Sequence, residues 1–193
     1  MVCYVNKKAA NTNFVIEMKS PFYHKQLLEN FQLAGYLLKT KEDIIKAIGD
    51  FKMDYEITDY ITPQEYMEMR KLVEWSEFPL EQAEEGIKHS AHLVVFRRNG
   101  KVIALARVLT DYGYVVYIAD VIVHPDFQRQ GLGRALMNNV MDYIKSQLKP
   151  GYKKMVSLMA AQGKEDFYKK FGFVARPNEM YGCGMCQWIF AEE

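Results

Sequence analysis

At 193 residues the chain has the length of a single domain and can bury a core without disulfide or metal staples. Hydrophobic residues make up 49% and charged residues 25%, which excludes the disordered and membrane-spanning classes and leaves a globular protein. The formal net charge of +1 comes from 25 basic and 24 acidic residues scattered along the chain, so there is no electrostatic footprint for nucleic acid or an anionic membrane.

The first residues, MVCYVNKKAANTNF, lack a continuous apolar segment, and no window approaches the ~20 apolar residues that span a bilayer. A cytoplasmic location is expected. Residues 1–51 carry helix signals and no strand pattern. Ser20-Pro21 reads as an N-cap followed by a first-turn proline, with Leu27, Leu28, Phe31 and Leu38 at helical spacing behind it. Thr40, Asp43 and Gly49 bracket a second, shorter helix over Ile44, Ile45 and Ile48. The segment is too short for a core of its own and is expected to dock as a helical arm on the domain at 52–193 or on a partner chain, which leaves a homodimer open.

From Met53 onward strand and helix patterns alternate. MDYEITDYI predicts a strand, and Thr62-Pro63 opens a helix through Tyr66, Met69, Leu72 and Val73. Leu80 to His89 predicts another helix. HLVVFRR and VIALARVL flank Asn99-Gly100 as a hairpin, and YVVYIADVIV is apolar on both faces, as an inner strand is. Leu132, Leu136, Val140 and Ile144 mark a helix that stops by Lys149-Pro150-Gly151. MVSLMAA predicts a strand, GKEDFYKKFGF a short helix closed by Gly172, and VARP and CQWIF two closing strands. The class is α/β with a mixed sheet.

The three cysteines, Cys3, Cys183 and Cys186, form an odd set that fits reduced thiols. Cys183 and Cys186 make a CxxC, but zinc would need about two more ligands and a redox pair normally opens a helix, whereas this pair lies in a strand-like segment. No metal is expected.

The stretch VIVHPDFQRQGLGRALM runs a buried strand through a glycine loop directly into an amphipathic helix. Such a junction aims unpaired backbone N–H groups and the positive end of the helix dipole at one point, which suits a phosphate, and Arg129 and Arg134 add charge. A dinucleotide fingerprint fails because Leu136 stands where glycine or alanine is needed, and a Walker A loop fails for want of Gly-Lys-Ser/Thr.

What remains, Q/R-x-x-G-x-G/A after a strand and opening a helix, resembles the pyrophosphate loop of the GNAT (Gcn5-related N-acetyltransferase) superfamily at Gln128, Gly131 and Gly133. A second segment, Asp166-Phe167-Tyr168-Lys169-Lys170-Phe171-Gly172-Phe173, resembles the family's late FYxxxGF motif. The order of elements over roughly Met53 to Phe190 is similar as well. The resemblance implies a mixed, mostly antiparallel sheet flanked by helices, and acetyl transfer from acetyl-coenzyme A to a primary amine by direct attack.

By that resemblance, the loop Gln128, Arg129, Gln130, Gly131, Leu132, Gly133 and Arg134 would hold the coenzyme A pyrophosphate, with the backbone N–H groups of Gln130 to Arg134 as its donors. Backbone groups around Val121, Ile122 and Val123 would bond the pantetheine arm. Tyr168 would protonate the departing thiolate; otherwise Phe167, Tyr168 and Phe171 are an aromatic stripe on a core-facing helix.

Ala119 stands where many relatives carry a glutamate base, a departure from the family. Asp120 is the nearest carboxylate, although strand alternation would point it away from the face of Ala119 and Val121. A water chain running to bulk, to Tyr117 or to His124 is the other route for the proton. Trp75 and Phe78 would wall the acceptor site, with Glu77 attracting a cationic amine; core packing explains them equally. Arg107 would bind an acidic group or cap the sheet face. The compact loops favour a small-molecule acceptor. A protein lysine or N-terminus, and a non-catalytic acyl-coenzyme A binding module, are the alternatives.

Overall fold

The computed structural model describes residues 55–190 together with residues 4–5 and 16–17. The two helices expected before residue 51, and the boundary expected at 51/52, lie outside the described residues. Two short strands, β1 (Tyr4–Val5) and β2 (Ile16–Glu17), pair antiparallel where the sequence analysis expected no strand. Two-residue strands are too short to leave a period-two signature.

The main body follows the order β3 (Glu56–Thr58), α1 (Pro63–Leu72), α2 (Leu80–Lys88), β4 (His92–Arg98), β5 (Lys101–Thr110), β6 (Val115–Val123), a 3₁₀ turn at Pro125–Phe127, α3 (Leu132–Ser146), β7 (Met155–Ser157) and α4 (Glu165–Lys169). Its sheet has the order β3-β4-β5-β6-β7, antiparallel except for the parallel β6/β7 pair.

Alternation in β4 and β5 sends side chains to two cores. Val94, Phe96, Ile103 and Ala104 meet Leu136, Met137, Val140 and Ile144 of α3 on one face. Leu93, Val95, Val102 and Leu105 meet Tyr66, Met69 and Ala83 of α1 and α2 on the other. Burial on both faces explains why these strands read as continuous apolar runs. Leu136 is fully buried, and truncating it to alanine would cost about 2–5 kcal/mol.

Helix α1 starts in a capping box. Thr62 Oγ1 accepts from the Glu65 N–H at 3.1 Å, and Glu65 Oε2 accepts from the Thr62 N–H at 3.0 Å. Arg97 of β4 grips the same carboxylate through both Nη atoms, at 2.6 and 2.9 Å, which fixes the helix start to the sheet. The helix ends as Glu74 takes a left-handed conformation at φ +59°.

The closing strands expected from VARP and CQWIF do not form. Residues 174–190 join no sheet, and Trp188, Ile189 and Phe190 are 75–81% exposed. A run of aromatic and β-branched residues makes a strand only where an edge and a core receive it. Likewise β7 stops at Ser157 instead of continuing through Ala161. Among the described residues no helix is long and apolar enough to cross a membrane.

Candidate active site

The site is built on β6. Its pairing with β7 covers only Val115–Tyr117, opposite Met155–Ser157, so from Ile118 to Val123 that edge of β6 has no strand partner among the described residues. A cleft of about 1430 Å³ opens along this stretch. Leu158, Met159 and Ala161 wall it on the β7 side, and Phe167 and Tyr168 on α4.

One end of the cleft is the start of α3. Gly131 caps the helix at φ +84° with no side-chain bond, so the first-turn N–H groups have no partner within the helix. An added Cβ at Gly131 would meet no atom within 4 Å, so the approach to these donors is open. Gln128 and Gln130 pin the loop from within, Nε2 to the Val123 carbonyl at 3.2 Å and Nε2 to the Asp126 carbonyl at 3.3 Å. Arg129, Arg134, Lys164 and Lys170 also line the cleft. Unpaired donors, a positive helix end and four cations fit a pyrophosphate group.

Gly133 is the second residue of the helix, where an added Cβ would stand 3.4 Å from Phe167 Cζ. The Phe167 ring of α4 packs directly over this position. Tyr168 follows Phe167 on the cleft wall, against the core cluster of the α3 face. Burial, and then the neighbouring Tyr117, push the Tyr168 hydroxyl above its ordinary value. Burial likewise raises Tyr117, against an opposing hydrogen bond with the Met159 backbone.

Asp120 does face away from Val121, but it does so at an irregularity in the ladder. Between Arg107↔Ala119 and Leu105↔Ile122 the ladder slips, so Asp120 and Val121 together oppose Ala106, and Asp120 takes φ +50°. Ile118 and Val121 therefore share a core, three residues apart, while Asp120 reaches the opposite core. There its carboxylate accepts from Tyr66 Oη at 2.8 Å, Arg70 Nη1 at 2.9 Å and Arg107 Nε at 2.6 Å. The carboxylate is thus engaged by two guanidiniums and a phenol. Burial, with Asp120 adding to it, pushes the Tyr66 hydroxyl up to about 12.

The remaining expectations divide. Arg107 lies off the cleft; its acidic partner is Asp120, and its Nη1 donates to the Gly86 carbonyl and to Ser90 Oγ. Phe78 also lies off the cleft, packed beneath the Arg70 guanidinium at 4.7 Å. Glu77 pairs with Lys71 at 3.5 Å and does not reach the cleft. His124 accepts from the Asp126 N–H at 3.2 Å as the cap of the 3₁₀ turn. Trp75 does line the cleft, beside Glu74 and Tyr55, which the sequence analysis did not single out. Among the described residues no group of His, Cys, Asp and Glu is placed to hold a metal.

Comparison with known proteins adds three findings. The family model described as Acetyltransferase (GNAT) family matches residues 54–173. The uncharacterized N-acetyltransferase ycf52 of Porphyra purpurea is 31% identical over 114 residues, 57% of this chain and 63% of that protein, so the chain spans less than two thirds of that relative. A relative of the same description from Gracilaria tenuistipitata var. liui is 30% identical over 127 residues, 64% of this chain and 68% of that protein. Among solved structures, a probable acetyltransferase of unknown function from Staphylococcus aureus superposes with a TM-score of 0.63 at 28% identity, covering 69% of this chain and 99% of that one.

Proposed function

The chain belongs to the GNAT acetyltransferase family, and from that premise we propose that it transfers the acetyl group of acetyl-coenzyme A to a primary amine of a small molecule by direct attack. The observation that carries this reading is the continuous cleft from the unpaired N–H groups of α3, along the open edge of β6, to Tyr168. The catalytic unit would occupy residues 52–193 and the segment 1–51 would be an arm.

Acetyl-coenzyme A supplies the activated thioester. The chain's own residues do the rest. The first turn of α3, Gly131 to Arg134, binds the pyrophosphate through backbone N–H groups, assisted by Arg129 and the lysines at the rim. The open edge of β6 near Val121 and Ile122 offers backbone donors and acceptors to the pantetheine amides, much as an added strand would receive them. Tyr168, whose raised pKa keeps the hydroxyl protonated through the neutral range, gives its proton to the departing sulfur.

Asp120 serves as the anchor of the bulge rather than as the base, because Arg70 and Arg107 hold its charge. The amine then loses its proton to water in the cleft, alongside Tyr117.

Titration calorimetry with acetyl-coenzyme A tests the reading, comparing wild type with Gly131→Glu, which places a carboxylate at the mouth of the loop. Binding by wild type that is lost in the variant supports it, and no binding by folded wild type overturns it. A panel of amines with detection of released thiol then separates an enzyme from a non-catalytic binding module.

A further inference from the structure

The walls of the cleft are unequally charged. Arg129, Arg134, Lys164 and Lys170 gather at the α3 and α4 end. At the other end the chain presents two carboxylates, Asp120 and Glu74. Asp120 is neutralised by Arg70 and Arg107. Glu74 makes no ion pair or hydrogen bond through its side chain among the described residues, and its side chain is exposed.

Two hydrogen bonds hold its backbone. The Glu74 N–H donates to the Lys71 carbonyl at 3.0 Å and the Trp75 N–H to the Arg70 carbonyl at 3.0 Å, which fixes the backbone on both sides of the left-handed turn at φ +59°. The neighbour Trp75 packs on the α1/α2 core, whereas Tyr168 packs on the α3 core. Glu74 thus enters the cleft from the connection that follows α1, and the candidate proton donor from α4.

Chemistry favours that separation. A carboxylate that only ion-pairs with the reacting nitrogen holds it as the ammonium, which cannot attack until its proton is taken up. A carboxylate held away from it can bind a second positive charge on the acceptor without holding the reacting proton. We propose that Glu74 is the specificity-determining carboxylate of the acceptor site and that it selects amines carrying a second cationic group. The proposal rests on reading the cleft as an acetyl-transfer site.

The test compares diaminobutane with butylamine, on wild type, Glu74→Gln and the off-cleft control Glu77→Gln. In steady-state transfer from acetyl-coenzyme A, Glu74→Gln is expected to raise KM for diaminobutane about fivefold, with kcat unchanged and butylamine unaffected. Calorimetric titration of diaminobutane into the protein without acetyl-coenzyme A should show the same weakening, and added salt should erase the difference between wild type and variant. Equal effects on both amines, an effect confined to kcat, an equal effect from Glu77→Gln, or no binding of diaminobutane to wild type would overturn it. Failure of the acetyl-transfer reading itself looks different: no thiol is released with any amine, while the titration still judges Glu74.

Discussion

Arg107 pairs through its backbone with Ala119, yet its Nε reaches past that residue to Oδ2 of Asp120 at 2.6 Å. The side chains cross the point where the ladder slips. Asp120, Arg70 and Arg107 are only 9–12% exposed, so the cluster holds two cations against one anion in a poorly hydrated place. Asp120→Asn would leave two buried guanidiniums facing a neutral amide, at a cost of about 3–5 kcal/mol. Urea denaturation measures it, and a loss below about 1 kcal/mol would show that the cluster does not anchor the bulge.

At the helix start, Gly131 combines a positive φ with empty space around its α-carbon. Gly131→Ala should cost about 1–2 kcal/mol of backbone strain while leaving the cleft open. Gly131→Glu should pay the same strain and abolish acetyl-coenzyme A binding. Thermal melts alongside titrations separate the two effects, and equal binding losses in both variants would mean that loop conformation, not charge, governs the site.

Tyr168→Phe keeps the ring against Phe173 and removes the proton, so kcat should fall about 10²- to 10⁴-fold with little change in acetyl-coenzyme A affinity. Because burial raises the Tyr168 pKa, the protonated form persists at neutral pH and is lost only as pH rises above 10. The alkaline fall in kcat should lie above that value. An unchanged kcat in the phenylalanine variant would return Tyr168 to the role of a core aromatic.

Glu65 gives a prediction in acid. Hydrogen bonds from Arg97 hold its carboxyl down from 4.5 to about 2. A carboxyl that ionises more readily folded than unfolded adds stability above about pH 4.5, and this contribution is lost as pH falls toward 2. Glu65→Gln should remove about 1 kcal/mol at pH 7 and flatten the dependence of stability on pH between these limits. Parallel acid-limb curves for the two proteins would exclude the Arg97 pair as its source.

Much of the scaffold was legible because single residues carried unambiguous signals. Asn99-Gly100 turned the hairpin, Thr62-Pro63 opened α1, and Gly131 and Gly133 marked the junction into α3. The features that escaped depend on contacts distant in sequence. The bulge at Asp120 is fixed by Tyr66, Arg70 and Arg107, none of which adjoins it in the chain. Glu74 reads as one more solvated charge until the left-handed turn brings it to the cleft. The apolar run CQWIF has a strand's composition, but composition does not supply an edge to pair with.

Beyond Tyr117, β6 is an inner strand with an unfinished side, since β7 leaves it after three paired residues. From Ile118 onward that edge has no strand partner among the described residues. Its free backbone groups would be hydrated when the cleft is empty. A bound pantetheine chain would replace that water with fixed partners, and the amides of Ile118 to Val123 on the open edge should then exchange with deuterium more slowly. The same binding free energy would add to the stability of the whole sheet by RT ln(1 + [L]/Kd). The substrate would then act as the strand's missing neighbour, and the resting fold would be the less stable member of a pair.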